Sequence, residues 1–205
     1  MSLSSYSDIK SAVSNWLNRS DLDTYIPDFV ALCEDRIYRD LRIRCMETAF
    51  TDTIASGVIS LPTNYLEMDH LYIDGSPIQA LQRKSAEWIY QNYPYRTVTD
   101  KPLFFARDVE TIIFGPYPDS GYTVIGNYFK RLPALSASNT TNWFTDNAPS
   151  ILLWGSLLEA EPFLKNDERI ALWQAKYQEI KENLTVENDR ENFSGSPLRM
   201  TVSWS

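Results

Sequence analysis

Glycine, cysteine and histidine are scarce in this chain: seven, two and one among 205 residues. So few glycines leave little material for phosphate-cradling loops, and neither Gly-x-x-x-x-Gly-Lys-Ser/Thr nor Gly-x-Gly-x-x-Gly occurs. A Gly-x-Ser-x-Gly nucleophile elbow is also missing. One histidine, His70, and two cysteines cannot build a structural zinc site, and no carboxylate run has calcium-loop spacing. Cys33 and Cys45 fall in or beside one expected helix. Their spacing corresponds to about 18 Å along a helix axis, too far for a disulfide, so both read as free thiols. No apolar run approaches the roughly 20 residues of a membrane span. The opening residues have neither a basic n-region nor an apolar h-region, so no secretory signal is expected. The chain reads as a soluble protein made in a cytoplasm, with no cofactor and no metal.

Basic residues are also short, 19 Lys and Arg against 27 Asp and Glu, a net charge of −8. That balance argues against a general nucleic-acid binder, which gains affinity by releasing counterions from phosphates. It is compatible with DNA passing by, because an acidic wall repels phosphate. Aromatic residues, in contrast, are plentiful at 13%, and such side chains favour cores and interfaces.

The pattern predicts a helix from about Ser7 to Asn18, with Ile9, Ala12, Val13, Trp16 and Leu17 on one stripe and Ser5 and Asp8 as a capping box. A second helix is expected over about Tyr25–Arg44, burying Phe29, Leu32, Cys33, Ile37 and Leu41. Its other side pairs Asp35 with Arg39, Arg36 with Asp40 and Asp40 with Arg44 at i,i+4. The plainer reading makes this a solvated face; the sharper one makes Arg36 and Arg39 part of a contact between neighbouring subunits.

From Thr48 the period changes to that of strands. Hairpins are expected for Thr48–Ile54 with Val58–Leu61, for His70–Ile73 with Ile78–Leu81 around Asp74-Gly75, and for Leu103–Ala106 with Thr111–Phe114. Tyr122–Arg131 reads as a further strand, and Ser85 caps a short helix to Tyr93. Helices return at Pro149, where Ile151, Leu152, Trp154, Leu157, Leu158 and Ala160 leave no polar face. Pro162 ends that helix. Asp167 caps a last one to about Asn188, with Ile170, Trp173, Tyr177, Ile180 and Leu184 as its stripe.

The fold class is therefore α+β: a discontinuous helical bundle (1–47 and 141–192) with an inserted antiparallel β-rich domain (48–140) and an extended arm (193–205). After the Gly195-Ser196-Pro197 break, Leu198, Met200, Val202 and Trp204 alternate with Arg199, Thr201 and Ser203, a strand pattern that needs a sheet or groove to lie on. Burying the four apolar side chains is worth roughly 6–12 kcal/mol. Ordering about eight residues costs on the order of 8–16 kcal/mol. One arm alone is then marginal, and arms presented together gain from effective concentration. Pro197, Leu198, Arg199, Met200, Val202 and Trp204 are the candidate interface residues. Pairing of the arm within its own chain is the alternative.

The search for catalysis leaves one pair, Glu159 and Glu161, beside Pro162. A glycan-cleaving tail enzyme would need two acids at a set separation, but residues two apart on a helix point to different sides. The cluster Trp88, Tyr90, Tyr93 and Tyr95 invites a carbohydrate or fibre- or receptor-binding reading; packing at a domain junction is the plainer one.

Asn142-Trp143-Phe144, Ala148-Pro149, Trp154-Gly155-Ser156-Leu157-Leu158-Glu159-Ala160-Glu161-Pro162-Phe163-Leu164, Asp167-Glu168-Arg169 and Trp173 form one telling series. Leu61-Pro62, Tyr65-Leu66-Glu67, Phe114-Gly115-Pro116, Tyr128-Phe129 and Leu132-Pro133-Ala134-Leu135 precede it, and Gly195-Ser196-Pro197-Leu198-Arg199 follows. The collinear set resembles the adaptor (head-to-tail connector) proteins of short-tailed bacteriophages and their prophages. That resemblance implies a structural virion protein at the head–tail junction, assembled in the host cytoplasm, with no enzymatic role. Such adaptors form a ring, usually of twelve copies, that joins the portal protein to the tail nozzle protein. They seat tail fibres and leave a channel through which DNA passes at genome ejection.

Overall fold

The computed structural model describes residues 3–54, 56–164 and 168–193. In chain order the elements are α1 (Tyr6–Leu17), α2 (Ile26–Asp40), β1 (Glu47–Ile54), β2 (Val58–Ser60), β3 (Tyr65–Ile73), β4 (Gln79–Ala80) and β5 (Gln82–Arg83). They continue with α3 (Ala86–Asn92), β6 (Phe104–Asp108), β7 (Thr111–Gly115), β8 (Tyr122–Lys130), α4 (Trp143–Asn147), α5 (Pro149–Glu159) and α6 (Arg169–Phe193). The protein is α+β, and its chain divides into a helical unit, Met1–Cys45 with Pro133–Ser205, and a β unit, Met46–Leu132.

The helical unit is built around α5. With Ile151, Leu152, Leu153, Leu157 and Leu158 all buried, this helix has no side to give to water, and it packs against α1, α2, α4 and α6. Gly155 permits the closest approach: a Cβ there would lie 2.3 Å from Cys33 Sγ on α2. α1 contributes Ile9, Ala12, Val13 and Leu17, and α6 contributes Trp173, Tyr177 and Leu184. The Ser5 hydroxyl caps α1 by accepting the Asp8 N–H, but the Asp8 carboxylate accepts from the Ser4 hydroxyl. Trp16 and Leu32, expected on buried stripes, are 43% and 49% exposed, because those stripes are narrower than the pattern suggests. α2 stops at Asp40, short of the expected Arg44. There the Arg42 guanidinium donates to the Tyr38 and Leu41 carbonyls and satisfies the helix end. Asp167, expected to cap the last helix, lies outside the described residues.

A buried carboxylate ties the two halves of this unit together. Glu34, only 4% exposed, accepts from the Leu135 N–H through both oxygens at 3.2 Å and from Asn142 Nδ2 at 3.1 Å. Asn142 in turn caps α4 through the N–H groups of Phe144 and Thr145. Residues 133–140 therefore fall with the helices, correcting the expected 48–140 insertion; the Tyr6 N–H also donates to the Thr140 carbonyl at 2.7 Å.

The β unit is two four-stranded sheets, ordered β1-β8-β3-β4 and β2-β7-β6-β5. Alternate residues of both meet in one core that includes Phe50, Ile54, Met68, Leu71, Phe105, Ile112 and Val124. Among the described residues these strands pair antiparallel except β5 with β6, and Thr99 forms an isolated parallel bridge with Tyr117. The expected β3–β4 and β6–β7 hairpins form. The expected β1–β2 hairpin does not: β1 pairs with β8 and β2 with β7. Gly57, at φ +73, turns the chain from one sheet to the other, with the Tyr117 ring where its Cβ would be. Between β6 and β7, Val109 adopts φ +53 while 79% exposed, a conformation unfavourable for a β-branched residue.

Burial pushes the Glu34 carboxyl up from 4.5 to about 7, with the bonds from Leu135 and Asn142 opposing and the Asp35 charge adding to the rise. The folded state then holds more protons than the unfolded one between those two values, so stability should fall as pH rises from about 4.5 to about 7 and level off above. Urea midpoints measured across that window should show the slope, and Glu34→Gln, which keeps one acceptor oxygen, should flatten it. Val109→Asn should raise stability by about 1 kcal/mol, since Asn accepts the left-handed region more readily; an unchanged or lower thermal midpoint would count against the strain.

Candidate interaction surfaces

The charged side of α2 leaves Asp35, Arg39 and Asp40 exposed, with Arg36 partly buried. Arg36 Nε donates to Glu159 Oε1 on α5 at 2.6 Å, and its guanidinium stands 5.9 Å from the Tyr177 ring centroid on α6. Asp40 accepts from the Tyr177 hydroxyl at 3.3 Å and lies 3.6 Å from Lys181 Nζ. Burial and the neighbouring Asp40 both push the Tyr177 hydroxyl up from its ordinary value. From this exposed face Arg36 and Asp40 reach across to α5 and α6, so each is bonded between helices. The Asp40–Arg44 pair has no helix to stand on, and the Arg44 N–H donates to Asn188 Oδ1 on α6 at 2.7 Å. Arg39 is exposed on α2.

The two carboxylates considered for catalysis do not converge. Glu159 is bonded to Arg36, and Glu161 is exposed in the 3-10 turn Glu161–Phe163 that contains Pro162. His70 Nδ1 lies 2.7 Å from Asp69 Oδ2, and its ring packs edge-on against Tyr72. No group of three His, Cys, Asp or Glu among the described residues is placed to hold a metal ion. No described helix is long and apolar enough to cross a membrane. Cys33 is buried and Cys45 partly so, and both are free thiols; burial pushes Cys45 up to about 12, which removes it as a thiolate nucleophile.

The aromatic cluster is mostly packing inside the β unit. Trp88 meets Phe104 and Tyr93 edge to face, Ile89 packs on Ala106 and Ile113, and the Tyr90 hydroxyl donates to Asp108 at 2.6 Å. Tyr90 and Tyr95 are exposed, at 43% and 71%.

Two grooves remain. One, about 380 Å³, is lined in the helical unit by Ile43, Cys45, Trp143, Leu184, Glu187 and Glu191. The other, about 520 Å³, lies on the β1-β8-β3 sheet. Neither was visible in the sequence, because each is assembled from segments far apart in the chain. The candidate interface residues Pro197, Leu198, Arg199, Met200, Val202 and Trp204 lie outside the described residues.

The comparisons with known proteins identify the family. The family model described as SU10 adaptor protein matches residues 4–201. Among curated proteins, none matches. With the match running over nearly the whole chain, the protein belongs to the SU10 adaptor family of phage head–tail adaptors and is a structural component of a phage.

Proposed function

We propose that this chain forms a ring, of twelve copies, that joins the portal protein to the tail nozzle protein at the head–tail junction. The observation that carries this reading is the family match over residues 4–201. The copies leave a central channel for DNA at genome ejection and provide seats for tail fibres. A net charge of −8 suits a passage of that kind, since phosphates meet few cations to hold them. Assembly takes place in the host cytoplasm.

The joining surface includes the segment from Pro197 to Trp204, with Leu198, Met200 and Val202 supplying apolar contact and Arg199 a single charge. Arg39, exposed on α2, contributes at the margin, whereas Arg36 acts by holding Glu159 and so the α2–α5 packing. An added strand takes its affinity from main-chain bonds and its register from alternate side chains. Since a lone arm is marginal on the figures above, binding and ring closure are coupled.

Deletion of residues 197–205 should leave the circular dichroism spectrum of the protein nearly unchanged and abolish its attachment to cognate portal, seen by electron microscopy of the mixture. Portals that still acquire a normal ring from the truncated protein would remove the arm from the mechanism.

A further inference from the structure

The outer faces of the two sheets are finished differently. α3 lies on the β6–β7 side, with Ile89 against Ala106 and Ile113. Within the β unit, the outer face of β1-β8-β3 is not covered by α3, the unit's helix among the described residues, and carries the groove of about 520 Å³, lined by Ala49, Thr51, His70, Tyr72, Ile78 and Ile125. Ile78 is 58% exposed there.

β1 is the edge strand of that sheet, and its free side can be assigned. The Thr123 carbonyl accepts the Asp74 N–H at 2.8 Å, so Thr123 turns its backbone groups toward β3. Its partner Thr53 is then in a pair without ladder bonds, and the Thr53 N–H is bonded to the Asp52 carboxylate at 2.7 Å. By alternation, the backbone groups of Glu47, Ala49, Thr51 and Thr53 point out of the sheet. Eight residues without a proline, lysine or arginine form this edge, which is the kind of template that recruits another strand.

We propose that β1 receives residues 198–204 of a second copy as an added antiparallel strand with Arg199 opposite Asp52. This rests on the reading of the chain as one of several adjoining copies. The register has a charge argument and a length argument. Arg199 is the one charged residue in 194–205, and the charges of β1, Glu47 and Asp52, are both acidic. An antiparallel strand with Arg199 facing Asp52 covers β1 from Thr53 back to Glu47, with Met200 opposite Thr51 and Val202 opposite Ala49. A parallel strand with the same charge pair runs past Ile54 after Thr201, and an antiparallel strand with Arg199 facing Glu47 leaves β1 at Met200. A parallel strand with Arg199 facing Glu47 stays on β1 but sets Ser203 opposite Thr51 instead of Thr48, so the cross-link below separates the two registers.

The register also decides the faces. Residues opposite one another share a face of the sheet, so Leu198, Met200, Val202 and Trp204 all fall on the groove side. Met200 extends the row Thr51–Ile125–Tyr72, and Val202 the row Ala49–Asn127–His70. Edge and segment are different surfaces of one chain, so each copy uses both and the contact is head-to-tail, which closes into a ring when the rotation allows.

The test uses full-length chains mixed with cognate portal. Thr48→Cys in one tagged copy and Ser203→Cys in a differently tagged copy would stand opposite at a pair without ladder bonds, about 4.5 Å between Cα atoms, within disulfide range. The expected product is a mixed-tag disulfide dimer well above the background of either single variant, which also controls for Cys33 and Cys45. Moving the first cysteine to Ala49, on the other face, should cut the yield about fivefold or more. Asp52→Arg should lower it about two- to fivefold, and Arg199→Asp in the other copy should restore it. Absence of the mixed-tag product, or a yield indifferent to the charge swap, overturns the proposal. So does a disulfide that forms only within a chain bearing both cysteines, because the edge would then be sealed by its own segment. Rings on portal without the cross-link would sink only this assignment; chains that stay monomeric with portal would sink the adaptor-ring reading as well.

Discussion

A helix with no polar side must be wrapped, and α5 is wrapped by helices from both ends of the chain. Ile151, Leu152 and Leu157 are fully buried, each worth roughly 1.5–3 kcal/mol on removal from water. That burial is available only once α1 and α2, which precede the β unit, have met α6, which follows it. The discontinuity of the helical unit is therefore a consequence of α5's composition. Gly155 fixes how near α2 comes, since any side chain there would meet Cys33. The Cys33 thiol donates back to the Ile151 and Leu152 carbonyls at 3.7 and 3.6 Å, so the small pair Gly155 and Cys33 is used on both sides of the contact.

Polar groups then specify what the apolar contact leaves loose. Glu34 reaches Leu135 and Asn142, and Arg36, two residues further along α2, reaches Glu159. A buried polar group is tolerated only when partnered, and removing one partner is costly. Both bonds join residues more than a hundred positions apart, which ties the returning chain to α2 at defined points. Carboxylates that a search for catalysis would pick out, Glu159 above all, are occupied by this work.

The periodic signals were the legible ones. α1, α3, α5 and α6, and the β3–β4 and β6–β7 hairpins, follow from spacing and turn residues, because those are local properties. Pairing between distant strands is not local: nothing in Thr48–Leu61 says that Tyr122–Lys130 will come between β1 and β3. Glu34 was unreadable for a related reason, since a carboxylate is written as surface unless its partners are known, and Leu135 and Asn142 lie far along the chain. The collinear residues from Leu61 to Arg199 disclosed the family. They could not disclose which strand ends a sheet, so the receiving edge of β1 emerged only from topology.

An exposed eight-residue edge is a liability before assembly as well as a resource during it. The side chains on its outer face are short, Ala49, Thr51 and Thr53, so a chance partner finds little apolar area to bury there. Asp52 adds a local guard: its carboxylate occupies the Thr53 N–H, one of the outward donors that an incoming strand would use. A strand of arbitrary sequence must displace that bond and leave the acid unpaired. A strand carrying a guanidinium at the matching position exchanges one partner of the carboxylate for a charged one and frees the donor for the ladder in the same movement. Charge-assisted bonds are the stronger kind, so the exchange favours the one sequence in the chain that brings an arginine in register. On that reading, selectivity comes from the exchange at Asp52, and the neighbouring apolar side chains contribute area once the register is set.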